Sequence, residues 1–160
     1  MIPTLRRLAL ASLLLAPITL AFPQAAPEAP KPAFDAELAK SLGADELGMR
    51  KYTLVILKAG PKQMPAGPER DAMFRGHFAN IQRLSGEGKL ALAGPFMGGG
   101  DGWRGLYLFT VTDLDQVKAL TATDPVIVNE EMVAEYHPWY GSAALLQVND
   151  THKRIAKKLP

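Results

Sequence analysis

His77 and Asp124 are the residues of this 160-residue chain whose types and settings suit acid–base chemistry. His77 stands on an apolar stripe with Met73, Ile81 and Leu84, flanked by Phe74 and Phe78. That 3.6-residue spacing predicts a helix with one buried face, and it puts the imidazole on that face. An imidazole can take up or release a proton near neutral pH. The plainer reading of His77 is a core histidine hydrogen-bonded to backbone. Asp124 precedes Pro125, where the plainer reading is a turn residue. Brought together, the carboxylate would orient the imidazole, and the two would form an acid–base pair.

Other residues offer weaker chemistry. Gly94 and Pro95 close an apolar run and are candidate substrate contacts. Gly98 to Gly102 lacks a Gly-x-Gly-x-x-Gly pattern and joins two strands, so hairpin flexibility explains it better than phosphate binding. Trp103 beside it is an aromatic wall or hairpin packing. Arg75 lies two residues from His77 and projects to another side of the helix, to bind a substrate anion at an edge or to face solvent. His137 and Trp139 alternate on one face of a strand, as ligand contacts or as packing. His77, His137 and His152 have no metal-ligand spacing, so no metal site is expected. Ser85 and Ser142 show no nucleophile-elbow pattern. The expected site is therefore His77 and Asp124 as the catalytic pair, with Gly94, Pro95, Trp103 and Arg75 toward the substrate. No cofactor is called for.

Tyr52 to Lys58 is β-branched and apolar, and reads as a buried strand. Pro68 suits the first turn of a helix through about Ser85, which Gly86 and Gly88 end. Lys89 to Phe96 and Gly105 to Thr112 read as strands. Asp113 caps a helix bearing Leu114, Val117 and Leu120, which Asp124-Pro125 ends. Glu131 to Tyr140 is the last strand, and Ala143 to Lys158 a basic helical tail. Asp35 to Leu47, with Leu38, Leu42 and Leu47, predicts a short helix packed on the domain.

The order β-α-β-β-α-β predicts an α+β, ferredoxin-like sandwich. With strand order 4-1-3-2, His77, Gly94-Pro95 and Asp124 gather at one end of the sheet. Two helices cover one sheet face. The other would be bare in a monomer, although Leu90 and Leu92, and Tyr107, Phe109 and Val111, form apolar rows. An exposed sheet of that kind predicts a homodimer through the open face.

The formal charge of +2 invites a nucleic-acid reading, but both charges are Arg6 and Arg7 in the first 21 residues. The rest is neutral, with an acidic body and a basic end in Lys153, Arg154, Lys157 and Lys158. No general nucleic-acid surface follows, since phosphate neutralisation needs a cationic face. Arg6-Arg7, the apolar Leu8 to Leu20 and Thr19-Leu20-Ala21 have the three parts of a secretory signal. The apolar run is shorter than the roughly 20 residues needed to span a bilayer and contains Pro17. Cleavage is expected after Ala21, with Ala25 second, leaving no membrane span and a periplasmic or secreted protein. With no cysteine there is neither a disulfide nor a thiolate nucleophile. The expected divisions are a signal peptide at 1–21, a Pro/Ala-rich linker and short helix at 22–50, a folded domain at 51–143 and a basic tail at 144–160.

Several segments together resemble the YCII-related (YciI-like) family of the dimeric α/β-barrel superfamily. They are Tyr52-Thr-Leu-Val-Ile-Leu, His77-Phe78, Gly88-Lys-Leu-Ala-Leu-Ala-Gly-Pro-Phe96, the glycine-led third strand and Asp124-Pro125. The leader and the Trp139-Tyr140-Gly141-Ser142-Ala143 ending look like a secreted subgroup. The resemblance implies a ferredoxin-like fold that pairs into a dimeric α/β barrel, with an active-site cleft holding a His and an Asp at His77 and Asp124. One branch of the family carries out a dehydrochlorination on a hydroxylated aromatic ring, and the wider superfamily includes muconolactone isomerase. The implied function is a cofactor-independent lyase or isomerase acting on an unidentified small molecule. The alternative is a non-catalytic periplasmic binding or interaction module.

Overall fold

β1 (Met49–Ala59) runs through the middle of a four-stranded sheet because its residues are apolar on both faces. Thr53, Val55 and Leu57 point to one side, Tyr52, Leu54 and Ile56 to the other, and all but Leu54 are buried. In this computed structural model the described residues are 32–98 and 100–158. The expected signal peptide, most of the linker, Gly99 and the last two residues lie outside them. Residues from Phe34 onward form one compact unit.

The remaining elements follow in chain order. α1 (Ala36–Ser41) precedes β1, and α2 (Pro68–Gly86) leads to β2 (Leu90–Pro95) and β3 (Trp103–Phe109). α3 (Leu114–Thr121), α4 (Pro125–Val128) and β4 (Met132–Ser142) come next. A 3-10 turn (Ala143–Gln147) and α5 (Val148–Ile155) finish the fold. The sheet order is β2-β3-β1-β4 with every neighbouring pair antiparallel, so the chain has the α+β, ferredoxin-like arrangement. Among the described residues no helix is long and apolar enough to cross a membrane.

On one face, Leu84 of α2 and Val117 of α3 meet Val55, Leu57, Leu90, Tyr107 and Phe109. Each such side chain contributes about 1.5–3 kcal/mol when fully buried, enough to fix the helices to the sheet. The opposite face gathers Tyr52, Ala91 and Leu108.

Four local features depart from the sequence-based expectations. The N-terminal helix is only six residues long, capped by Asp35, and buries no side chain. Leu38 and Leu47 are exposed, and the segment is held instead by Arg50 donating to the Leu42 carbonyl and Tyr140 donating to Asp45. Leu90 and Leu92 do not share a face, because a register shift between them turns Leu92 to the opposite side. Tyr107 and Phe109 lie beneath the helices, not on the open face. That open face is partly covered: Leu145 and Leu146 pack on it, and Asn149 donates to the Leu90 carbonyl at 2.8 Å.

Candidate functional site

α2 turns Met73, His77, Asn80 and Leu84 inward. His77 and Asn80 are thus neighbours on one helix face, both reaching the end of the sheet where β2 closes. Asp124 arrives from the other side. It is not merely the end of α3 but the N-cap of α4, its Oδ1 accepting from the Val126 N–H at 3.1 Å. Pro125 supplies the preset φ of the first helical position.

The carboxylate of Asp124 is completely buried and lies 3.0 Å from His77 Nδ1 through both oxygens. Tyr107 donates its hydroxyl to Asp124 Oδ2 at 2.5 Å and sits 3.1 Å from the same His77 nitrogen. Asn80 Nδ2 reaches Oδ2 at 3.4 Å. Asn80 is itself held by Arg83 at 2.7 Å and Thr123 at 3.0 Å through its Oδ1. Four donors therefore converge on one buried carboxylate, which compensates the charge that burial would otherwise penalise.

These contacts set the protonation of the cluster. Burial alone pushes the Asp124 carboxyl up, but hydrogen bonds from His77 and Tyr107, the charge of His77 and the Val126 N–H outweigh it and hold it below the ordinary aspartate value. Burial raises the Tyr107 phenol far above its usual range, and the charge and hydrogen bond of Asp124 raise it further. Asp124 is thus a carboxylate and Tyr107 a neutral donor at physiological pH. Nδ1 of a neutral His77 then carries the proton, donated to Asp124, and Nε2 keeps its lone pair. Nε2 has no hydrogen-bond partner among the described residues.

A pH dependence follows from these two directions. A depressed carboxyl contributes stability above the ordinary aspartate range, and this is lost as pH falls from about 4 through the lowered folded value. A raised phenol contributes below about pH 10 and loses that contribution above it. The gap in urea midpoint between the native chain and Asp124→Asn is therefore expected to be widest near neutral pH and to close on acidification. Taking the difference removes other lowered carboxyls such as Glu131, which Met64 N–H and Arg70 hold down against burial.

His77 and Tyr107 form the inner end of a cleft of about 380 Å³. Phe74, Phe78 and Ile81 of α2 make one wall, and Leu57, Leu106 and Met132 line the rest of its apolar surface. Gly94 and Pro95 border it, as does Arg104. The structure does not bring Trp103 or Arg75 to this cleft. Trp103 packs against Phe96 with ring centroids 5.0 Å apart, and Arg75 is exposed on another side of α2. On the face away from the helices, His137 Nε2 pairs with Glu135 at 2.9 Å and Trp139 packs on Tyr52.

Sequence reasoning did not single out Tyr107, Asn80, Arg104 or Gly76. Gly76 sets how closely α4 approaches α2: a Cβ there would lie 2.9 Å from Pro125 Cγ. In an open helix interior Gly→Ala stabilises by about 1 kcal/mol. Here the crowding is expected to reverse the sign, so Gly76→Ala costs about 1–3 kcal/mol as Pro125, and Asp124 with it, is forced away. Gly86→Ala, where a Cβ meets nothing within 4 Å, is the control and is expected to leave the melting temperature level or higher. Equal melting temperatures for Gly76→Ala and the native chain would refute the close-approach argument.

The family model of the YCII-related domain matches residues 51–139, from β1 into β4 and across every residue of the His77–Tyr107–Asp124 cluster. No curated protein matches the chain. The match covers more than half of the sequence, and the chain belongs to the YCII-related family.

Proposed function

We propose that this protein is a secreted enzyme of lyase or isomerase type, acting on a small molecule without a cofactor. The observation that carries the reading is the buried Asp124 carboxylate 3.0 Å from His77 Nδ1 at the inner end of an apolar cleft. His77 Nε2 acts as the base. It takes a proton from a substrate carbon, and the C–H electron pair moves into the substrate. In an isomerisation the imidazolium returns the proton at a second position. In an elimination the electron pair expels a leaving group. Asp124 keeps the ring oriented and stabilises the imidazolium, and Tyr107 fixes the carboxylate. The apolar walls exclude water, which strengthens each of these interactions.

Homodimerisation belongs to the same proposal. Beyond the part covered by Leu145 and Leu146, the face away from the helices presents half-buried Leu54 and Leu106 and exposed Val133 and Trp139. Pairing that face with a second copy would bury them. Export rests on the leader: Arg6-Arg7, the apolar run and the Ala21 site. A thermal-shift screen of small molecules, with turnover assayed for each hit and His77→Ala as control, tests the catalytic reading. Turnover that survives in His77→Ala overturns it in favour of a binding module. Light scattering that gives a monomer mass overturns the dimer, and a retained leader on the exported chain overturns the cleavage.

A further inference from the structure

Arginines stand around the cleft, and two of them are engaged. Arg70 pairs with the buried Glu131 at 2.9 Å and lies over the Phe74 ring at 4.6 Å. Arg83 is shared among Asn80, Thr123 and Glu87. Arg75 is exposed away from the cleft lining. Arg104 differs from all three. It borders the cleft, its side chain is exposed, and its guanidinium has neither hydrogen bond nor ion pair among the described residues.

Its place is nevertheless fixed. The Arg104 carbonyl accepts from the Phe96 N–H at 3.0 Å, continuing the β2–β3 ladder past the Pro95–Gly105 pair. Next to it Gly105 has no side chain, and a Cβ there would come 3.0 Å from the Gly94 carbonyl oxygen. The backbone of Arg104 is therefore held on a strand end; its guanidinium is bonded to no described residue, and its charge acts on Glu131 only from beyond ion-pair distance, helping to lower that carboxyl.

The rest of the lining makes that charge decisive. Among the described residues no aspartate or glutamate lines the cleft. Asp124, bonded to His77 and Tyr107 of the lining, is enclosed by its donors, and Glu131 is bonded to Arg70 and to the Met64 N–H. The walls are aromatic and aliphatic, so an incoming anion meets Arg104 at the rim of an apolar cleft, with Glu131 already paired to Arg70.

We propose that Arg104 is the anion-binding residue of the cleft, which takes a small acid with an apolar body and one carboxylate. The guanidinium holds the carboxylate through paired N–H donors. The apolar body lies against Phe74 and Phe78, with a reacting carbon toward His77. This names the substrate class for the site proposed above and rests on that reading for the role of His77, though not for the binding itself.

Benzoate and its neutral isostere benzamide are the probes, with affinity read by calorimetry on the purified protein. Benzoate is expected to bind more tightly than benzamide and to lose affinity as salt is raised, while benzamide does not. Arg104→Gln is expected to weaken benzoate by about 10- to 100-fold and to leave benzamide unchanged. Arg75→Gln, the control cation outside the cleft, is expected to change neither. Equal affinity for the two probes, no benzoate binding at millimolar concentration, or undiminished benzoate binding in Arg104→Gln each overturns the proposal. His77→Ala separates the two claims. It is expected to keep the preference for benzoate, so an anion site that survives with no His77-dependent turnover anywhere sinks the catalytic reading alone.

Discussion

Asp124→Ala is expected to lower the unfolding free energy by about 3–5 kcal/mol, a range set by leaving several buried donors without their charged acceptor. The substitution removes the acceptor for three well-placed donors: His77 Nδ1–H, the Tyr107 hydroxyl and the Val126 N–H. Tyr107 is 1% exposed and Asp124 not at all, so water cannot replace the lost acceptor without opening the site. Each buried donor left unpaired costs about 1–3 kcal/mol, and the losses overlap because the three groups share one acceptor. Loss of the α4 cap adds to this, since that short helix has no other side-chain cap. Tyr107→Phe gives the comparison: it removes one donor and leaves Asp124 with the others, for a cost nearer 1–2 kcal/mol. Urea unfolding followed by fluorescence reads both. An Asp124→Ala loss below about 1 kcal/mol would mean that the carboxylate does not organise this end of the sheet.

The two residues of the pair were legible in the sequence for different reasons. His77 could be placed because a nineteen-residue helix repeats its apolar spacing often enough to define a buried face. Asp124 could be placed only through topology, since β-α-β-β-α-β with order 4-1-3-2 sends both helices to the same edge. What could not be read was its role as a cap, because α4 has four residues and shows no period. Tyr107 was invisible for another reason. β3 is apolar on both faces, so alternation separates Tyr107 from Leu108 without saying which of them meets the helices. The register shift in β2 is likewise unmarked, since Leu90, Ala91 and Leu92 are all compatible with either face.

The tail carries a related lesson. Its charges, Lys153, Arg154, Lys157 and Lys158, read as a solvated helix. The 3-10 turn before them holds Leu145 and Leu146, which bind it to the sheet. Composition averaged over the tail hides the two residues that anchor it. The glycine at 76 is hidden more deeply, because a close approach between α2 and α4 depends on where a distant proline comes to rest.

If His77 and Asp124 act as one unit, their substitutions will not add. His77→Ala removes the base and is expected to slow turnover of a substrate found by the screen by about 10²- to 10⁴-fold. Asp124→Asn keeps the shape but reverses a contact. An amide N–H directed at Nδ1 would favour the tautomer with its proton on Nε2, the nitrogen that must accept one from substrate. The expected loss is again on the order of 10²- to 10⁴-fold, with the fold retained. In the double variant no base remains for residue 124 to orient, so turnover should match His77→Ala to within a few fold. Imidazole nitrogen shifts in Asp124→Asn should report the exchanged tautomer independently of any rate. Multiplicative losses in the double variant, or an unchanged tautomer in Asp124→Asn, would mean that Asp124 serves catalysis only by holding α4 in place. The 3.0 Å contact of both carboxylate oxygens with Nδ1 argues for the coupled outcome, since a residue that only capped α4 would have no need to face the imidazole.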